Sequence, residues 1–245
     1  MKNLRLLFLT IPFILFACSS DDDDNNKLKL ISKSEVTLNS LDKHQIEVES
    51  EDNVAYSVEN ENHAKVDEKG LVTALLIGET DINITDGSKN AKVKIKVEPK
   101  ENLYTEPILD FTLSKSDVIK KLGKPAVDND DGIAYESANK AVDLVMYLFD
   151  ENGKMTGTSV SIRSSYGERL VNFLAERYMI VSSKERLFSN TVDIKKTTMV
   201  VHISIGDYEN LLVHYMPYSP TTRSLQGGMF EELKDSALQI IDSNK

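Results

Sequence analysis

Four histidines and a single cysteine are the most versatile side chains in this 245-residue chain, and two of the histidines can be brought together by geometry. In "HISIGDYENLLVH" a five-residue loop, GDYEN, would pair Ile205 with Leu211, which sets Val201 against Tyr215, Ile203 against Val213 and His202 against His214. One side of that hairpin becomes wholly apolar, the pattern that fixes a register, and the two imidazoles share the other side. Two imidazoles on neighbouring strands can begin a metal site, but a site needs a third ligand and outer-shell support. The plain alternative is a cross-strand pair, and no metal is expected. Tyr215 and Tyr218, in "HYMPYSP", add aromatic surface, so His202, His214, Tyr215 and Tyr218 are the candidate ligand contacts. "DNDDG", Asp128 to Gly132, resembles a calcium loop, yet Gly132 at the sixth position would put Val127 at the first, and a solvated turn is expected instead. There is no GxSxG elbow, Walker loop, HExxH or dinucleotide fingerprint, and there is no tryptophan to stack on sugar. No catalytic residue and no cofactor are therefore assigned; a glycan or peptide hydrolase with its site in the C-terminal half is the alternative.

The elements that would carry these side chains read as a mixed domain over 111–218. "TLSKSDVIKKLGKP" has Ser114 as N-cap with Asp117 three places on, apolar Val118, Ile119 and Leu122, then Gly123 and Pro125 as stop signals. Three strands follow, "IAYES", "VDLVMYLFD" and "TGTSVSIR", with Asn152 and Gly153 in a hairpin turn. The order recurs about 50 residues later. "SYGERLVNFLAERY" offers Ser165 and Glu168 as a capping box and Leu170, Phe173, Leu174 and Tyr178 as a helical stripe, and strands "NTVDI", "TMVVHISI" and "LLVHYMPY" come after it. A duplicated helix-plus-antiparallel-hairpin unit, helices packed on one sheet, is the expected α+β architecture. A Ser/Thr/Gly linker and a C-terminal helix, with Phe230, Leu233, Ala237 and Ile241 on one face, fill 219–245.

Residues 28–98 read differently. "AKVKIKV" puts Val93, Ile95 and Val97 on one side and Lys92, Lys94 and Lys96 on the other, the period of two of a half-buried strand. "HQIEVES" and "VAYSVEN" repeat the device with Ile46 and Val48, then Val54, Tyr56 and Val58. Gly70 and Gly78 lie between strands, and His44 and His63 fall near turns, where solvated side chains are expected. Six or seven short strands predict a small antiparallel β-sandwich, separated from the α+β domain by a polar linker at 99–110 bracketed by Pro99 and Pro107.

The stretch "VENENHAKVDEKGLVTALLIGETDINI" resembles the bacterial immunoglobulin-like group 2 family, with Asn60, Ala64, Val66, Asp67, Gly70, Val72, Thr73, Ala74, Gly78, Thr80 and Ile82 at the family's places and Tyr56 where tryptophan is usual. That resemblance implies an Ig-like sandwich used as a spacer or adhesive module on bacterial surface proteins. Leu122, Gly123, Pro125, Tyr147, Phe149, Gly153 and Lys154 are similar to the repeat of the small outer-membrane lipoprotein fold shared with β-lactamase inhibitor proteins. The likeness implies binding of protein partners through a concave sheet.

At the N-terminus Lys2 and Arg5 precede an apolar run from Leu6 to Phe16. At about 1.5 Å per residue the run covers roughly 16 Å, half a hydrocarbon core, so 1–17 reads as a signal peptide. "LFAC" resembles the lipobox of bacterial lipoproteins, which implies a diacylglyceride and palmitate-type acylation at Cys18 and loss of 1–17; the alternative is a secreted protein with an incidental thiol. Residues 18–27 would then be a lipidated cysteine and acidic tether. Ser19, Ser20, Asp21, Asp22, Asp23 and Asp24 resemble the acidic export signal of Bacteroidetes-type lipoproteins, which implies the outer face of the outer membrane; the alternative is a polar spacer. The formal charge of −10 becomes −12 once Lys2 and Arg5 are removed, and such acidity excludes a nucleic-acid footprint. The expectation is a non-catalytic surface lipoprotein, held to a membrane by its lipid anchor and binding a protein or glycan. An envelope-assembly lipoprotein on the periplasmic side is the other possibility.

Overall fold

The computed structural model describes residues 28–206, 210–219 and 227–244. The signal peptide, Cys18 and the run Ser19 to Asp24 lie outside the described residues. Alternation of apolar and polar residues builds the N-terminal body from β1 (Lys29–Leu30), β2 (Glu35–Asn39), β3 (Lys43–Gln45), β4 (Val48–Glu49), β5 (Ala55–Val58), β6 (Ala64–Val66), β7 (Leu71–Ala74), β8 (Gly78–Thr85) and β9 (Asn90–Glu98). They form a four-stranded sheet in the order β2-β9-β8-β5, a three-stranded sheet β3-β7-β6 and a small β1-β4 pair. Val93, Ile95 and Val97 of β9 point into the core between the sheets with Ile46, Val72, Ile82 and Ile84, while Lys92, Lys94 and Lys96 lie outside in ion pairs with acidic neighbours. One pairing departs from the antiparallel expectation. β2 runs parallel to β9, because both strands head for the end of the sandwich from which the chain leaves for the second domain.

The C-terminal body comprises α1 (Lys115–Leu122), β10 (Val127–Asp128), β11 (Gly132–Glu136), β12 (Val142–Phe149), β13 (Met155–Arg163), α2 (Gly167–Arg177), β14 (Met179–Ser182), β15 (Leu187–Ser189), β16 (Met199–Ile205), β17 (Asn210–Pro217) and α3 (Gly227–Ser243). Its eight strands make one antiparallel sheet, β10-β11-β12-β13-β17-β16-β15-β14. Helix and four strands occur twice, with the two units meeting at β13 and β17. The first unit has an edge strand, β10, beyond the three expected; in the second the strand expected at NTVDI is a bend running into the 3₁₀ turn Ile194–Lys196, and β14 and β15 come before it instead. Ser114 and Asp117 form the capping box of α1. The box expected at Ser165 and Glu168 is absent: Ser164–Tyr166 is a 3₁₀ turn, and α2 starts one residue late, with Tyr166 as N-cap and no side-chain cap.

Alternate residues of the sheet face two layers. Val160, Ile162, Val201, Ile203, Val213 and Tyr215 meet Leu170, Phe173 and Leu174 of α2. Further along, Ile133, Tyr147 and Met155 meet Val118 of α1. The opposite face, with Leu144, Met146, Leu212 and Met216, is covered by Leu233, Ala237 and Ile240 of α3. The turn of α3 onto the sheet thus places Ile240 in the core and leaves Ile241 at its margin. Both faces being covered, the open concave sheet implied by the lipoprotein-fold likeness does not exist among the described residues. The stretch expected to be a polar connector, 99–110, is also built in. Leu103 and Tyr104 are buried against α2, and this strap hangs on the core through apolar contact that its polar neighbours conceal in the sequence.

Candidate functional site

His202 and His214 sit opposite one another on β16 and β17, in the register Ile205↔Leu211, Val201↔Tyr215 and Ile203↔Val213. Their rings are 6.2 Å apart and nearly parallel. His214 is fully buried beneath the α3 layer, its Nδ1 2.7 Å from Ser159 Oγ and its Nε2 2.8 Å from Ser204 Oγ. A neutral ring is fully satisfied by two hydroxyls that can rotate to donate or accept. Burial, then the neighbouring His202 and Lys234, push its pKa down to about 3. Both ring nitrogens being engaged, His214 is a core hydrogen-bonding residue rather than a ligand contact, and His202 is half-buried beside it. Among the described residues no group of three His, Cys, Asp or Glu is arranged to hold a metal ion.

Tyr215 is likewise enclosed. It lies on the α2 face, its hydroxyl bonded to that of Tyr104, and Tyr178 packs edge-on against its ring. Tyr178 donates to Glu106 of the strap. Burial is the largest cause of the raised pKa values of Tyr104, Tyr178 and Tyr215, so these phenols are neutral struts. Tyr215 therefore offers no surface to a ligand, contrary to its candidacy; Tyr218 stays half-buried at the edge of the α3 layer. The acidic turn Asp128 to Gly132 keeps Asp128 and Asp130 exposed, as expected of a solvated turn, and is braced by Lys115 pairing with Asp128 and by Asn129 Oδ1 accepting from the amides of Asp131 and Gly132. His63, by contrast, is not solvated. Its Nδ1 donates to the Leu76 carbonyl at 3.2 Å and its ring covers Gly78, where a Cβ would come within 2.3 Å of the ring. His44 is half-buried in β3.

Sequence reasoning missed the junction between the two bodies. Asn62 Oδ1 accepts from Thr191 Oγ1 at 2.7 Å and from the Val192 amide at 2.9 Å, and the Ile77 amide donates to the Glu176 carbonyl at 2.8 Å. The Glu176 carboxylate accepts from the amides of Lys100 and Glu101 at 3.1 and 3.0 Å, holding the strap to the end of α2. Glu101 in turn meets Arg169 at 2.6 Å, which holds its carboxyl below the usual range. Around these bonds lies a groove of about 510 Å³ lined by Leu41, Leu75, Leu76, Ala175, Met179 and Ile180 among others. The one local signal for it was the apolar run Met179-Ile180-Val181 directly before a charged turn. Asn62→Ala removes two partners from groups at the junction and is expected to cost about 1–2 kcal/mol in urea unfolding, with a wider spread of interdomain distances in X-ray scattering.

The N-terminal sandwich has the strand order and core just described, and its turn residues Gly70 and Gly78 both take positive φ. Residues 32–97 match the family model of the bacterial Ig-like domain (group 2). No curated protein matches the chain. Among solved structures, an intimin mutant from EHEC O157:H7 is similar at 16% identity over 50% of this chain and 82% of that one, with a TM-score of 0.24. A bacterial Ig-like domain containing GH10 xylanase from termite gut is similar at 17% identity over 56% and 37%, with a TM-score of 0.24. Domains 5–6 of the S-layer protein SbsC are similar at 15% identity over 78% and 85%, also with a TM-score of 0.24. Likenesses this loose bear on neither the arrangement of the two bodies nor their function. The Ig-like domain accounts for the first body, and the α+β body with its junction groove holds the surface features that remain.

Proposed function

We infer that this chain is a lipid-anchored protein of the bacterial envelope, non-catalytic, in which the Ig-like domain spaces an α+β binding domain from the bilayer. The observation that carries this reading is the Ig-like match at 32–97 together with the direction in which the domain is inserted. Leu28 enters beside Asn90, at the β8–β9 turn, whereas Glu98 and Lys100 leave at the opposite pole, where Lys100 reaches Asp42. β9 alone, nine residues at about 3.4 Å each, spans roughly 30 Å between those poles. A tether at Cys18, followed by the acidic run Asp21 to Asp24, therefore attaches the molecule at the pole far from the α+β domain.

The groove at the junction supports binding over hydrolysis. Its two carboxylates, Glu101 and Glu176, are already committed to Arg169 and to backbone amides, and no histidine lines it. A protein or glycan ligand on the outer face of the outer membrane is the role proposed. Cys18→Ala is expected to move the protein from the membrane pellet to the soluble fraction, because several acyl chains at about 0.8 kcal/mol per buried CH₂ are what hold it. Unchanged retention sinks the lipid anchor. Protease shaving of intact cells should remove the α+β domain; full protection would instead place it in the periplasm as an assembly factor.

A further inference from the structure

Nine large apolar side chains stand exposed among the described residues. Five of them, Leu41, Val171, Met179, Ile180 and Ile205, line two grooves that meet at Ile180. One is the junction groove of about 510 Å³; the other, about 380 Å³, lies between the start of α2 and the β16–β17 end of the sheet. Together they make a trough that runs along α2 and β14, with Leu41, Leu75 and Leu76 of the Ig-like domain lining the junction end. Single exposed hydrophobics are ordinary, but a contiguous string marks a surface that another molecule covers. Leu41 sharpens the point: it is 75% exposed and also held at φ 69°, a conformation that costs a non-glycine residue about 1–3 kcal/mol.

Three further features narrow the occupant. β14 is the end strand of the eight-stranded sheet, so its outer backbone edge has no neighbouring strand among the described residues. Its ladder to β15 is bulged at Val181, between the Ile180↔Phe188 and Ser182↔Leu187 pairs. A bulge twists an edge away from long strand-to-strand pairing, which disfavours a second copy of this chain and leaves room for a short segment held chiefly by side chains. Charge supplies the third. In a chain of net charge −10, the turn after β14 presents Lys184 and Arg186 on either side of an exposed Glu185, a net positive charge of one; neither cation is in an ion pair among the described residues, and Arg186 lines the second groove. At the other end the charges are paired: Lys100 with Asp42, Glu101 with Arg169, and Glu176 with Arg177 and the strap amides. The unpaired positive charge of the trough therefore stands at the Arg186 end.

We propose that this trough seats an extended segment of a partner protein, apolar at alternate positions and acidic at the end that reaches Arg186 and Lys184. Successive side chains of an extended segment point to opposite sides, so only alternate ones enter the trough, and short main-chain contacts to the edge of β14 set its direction. The proposal rests on the reading of the chain as a binding module. It names the partner's chemistry.

A displayed library of random peptides of about ten residues, selected on the purified protein, tests it. Ile180 and Val171 are exposed, so Ile180→Asp and Val171→Asp should leave folding within about 0.5 kcal/mol of the parent while closing the trough to apolar side chains. Enrichment of acidic peptides with alternating apolar residues, at least about tenfold weaker on Ile180→Asp, with new amide-exchange protection at Met179–Ser182, is the expected result. Arg186→Glu should reverse the charge preference of the selected peptides. Equal enrichment on the parent and on Ile180→Asp overturns the proposal, as do selected peptides without acidic residues or protection confined to the Ig-like domain. Doubling of the mass in light scattering, abolished by Ile180→Asp, would assign the trough to a second copy, and binding to anionic vesicles abolished by the same change would assign it to lipid; either overturns it. Cell-surface shaving is read separately, so a surface-exposed protein whose trough selects nothing would lose this inference and keep the function proposed above.

Discussion

Phe173→Ala should destabilise the α+β domain by about 3–5 kcal/mol, the cost of deleting a fully buried aromatic side chain where neighbours cannot collapse. Phe173 joins three layers. Its ring lies 4.4 Å from that of Tyr104 in the strap, the Arg177 guanidinium sits 3.7 Å from its other face, and the sheet closes it below. None of these neighbours can move in to fill the gap, since Tyr104 is tied to Tyr215 and Arg177 to the carbonyls of Glu101 and Phe173. For a chain of this length the loss corresponds to a fall in Tm of roughly 10 °C. The strap should loosen before the domain melts, so trypsin should cut at Lys100 under conditions where the parent is resistant. Phe173→Leu, which keeps most of the volume, should lose less than half as much. Equal stability of the alanine variant and the parent would show that the strap does not depend on this ring.

Acidification is the second strong expectation. His214 is neutral in the fold with a pKa near 3, against about 6.5 in the unfolded chain. A depressed folded pKa means that the unfolded chain binds the proton first. Stability is complete above pH 6.5 and is lost as pH falls towards 3, at up to about 1.4 kcal/mol per unit. By pH 4 the loss from this residue is about 3 kcal/mol. His214→Gln can still exchange hydrogen bonds with Ser159 and Ser204 but carries no titrating group, so its urea midpoint should vary less between pH 7 and pH 4. Carboxylates with lowered pKa values, Glu101 beside Arg169 and Asp117 in its capping box, add to the acid sensitivity of both proteins, so the difference between the two pH profiles isolates His214. Identical slopes would sink the assignment.

The local elements were legible because each is written in short-range terms. The period-two stripe of Val93, Ile95 and Val97, the capping box of Ser114 and Asp117, and the hairpin that places His202 opposite His214 all follow from residues within one element or one turn. The misreadings share a cause as well. His63 looked solvated because its turn is polar, but Gly78, fifteen positions on, leaves a recess that its ring fills. Ser165 and Glu168 have the spacing of a capping box, yet the chain leaves β13 in a direction that spends Ser164–Tyr166 on a 3₁₀ turn. The strap at 99–110 reads as a linker by composition, since its apolar residues come as two separated pairs, Leu103 with Tyr104 and Ile108 with Leu109, which make no period.

By itself the sequence determined the Ig-like character of 32–97, the three helices and the strands β11, β12, β13, β16 and β17 of the second body, and the pairing of the two histidines. Those properties depend on backbone periodicity and on side chains within a few residues of each other. Tertiary structure alone decided that His214 and Tyr215 are sealed inside, that helices cover both faces of the large sheet, and that Leu41 and Ile180, far apart in the chain, border one trough. Burial is a property of what packs on top, and here the covering pieces, α3 and the strap, come from segments whose own patterns do not say where they dock.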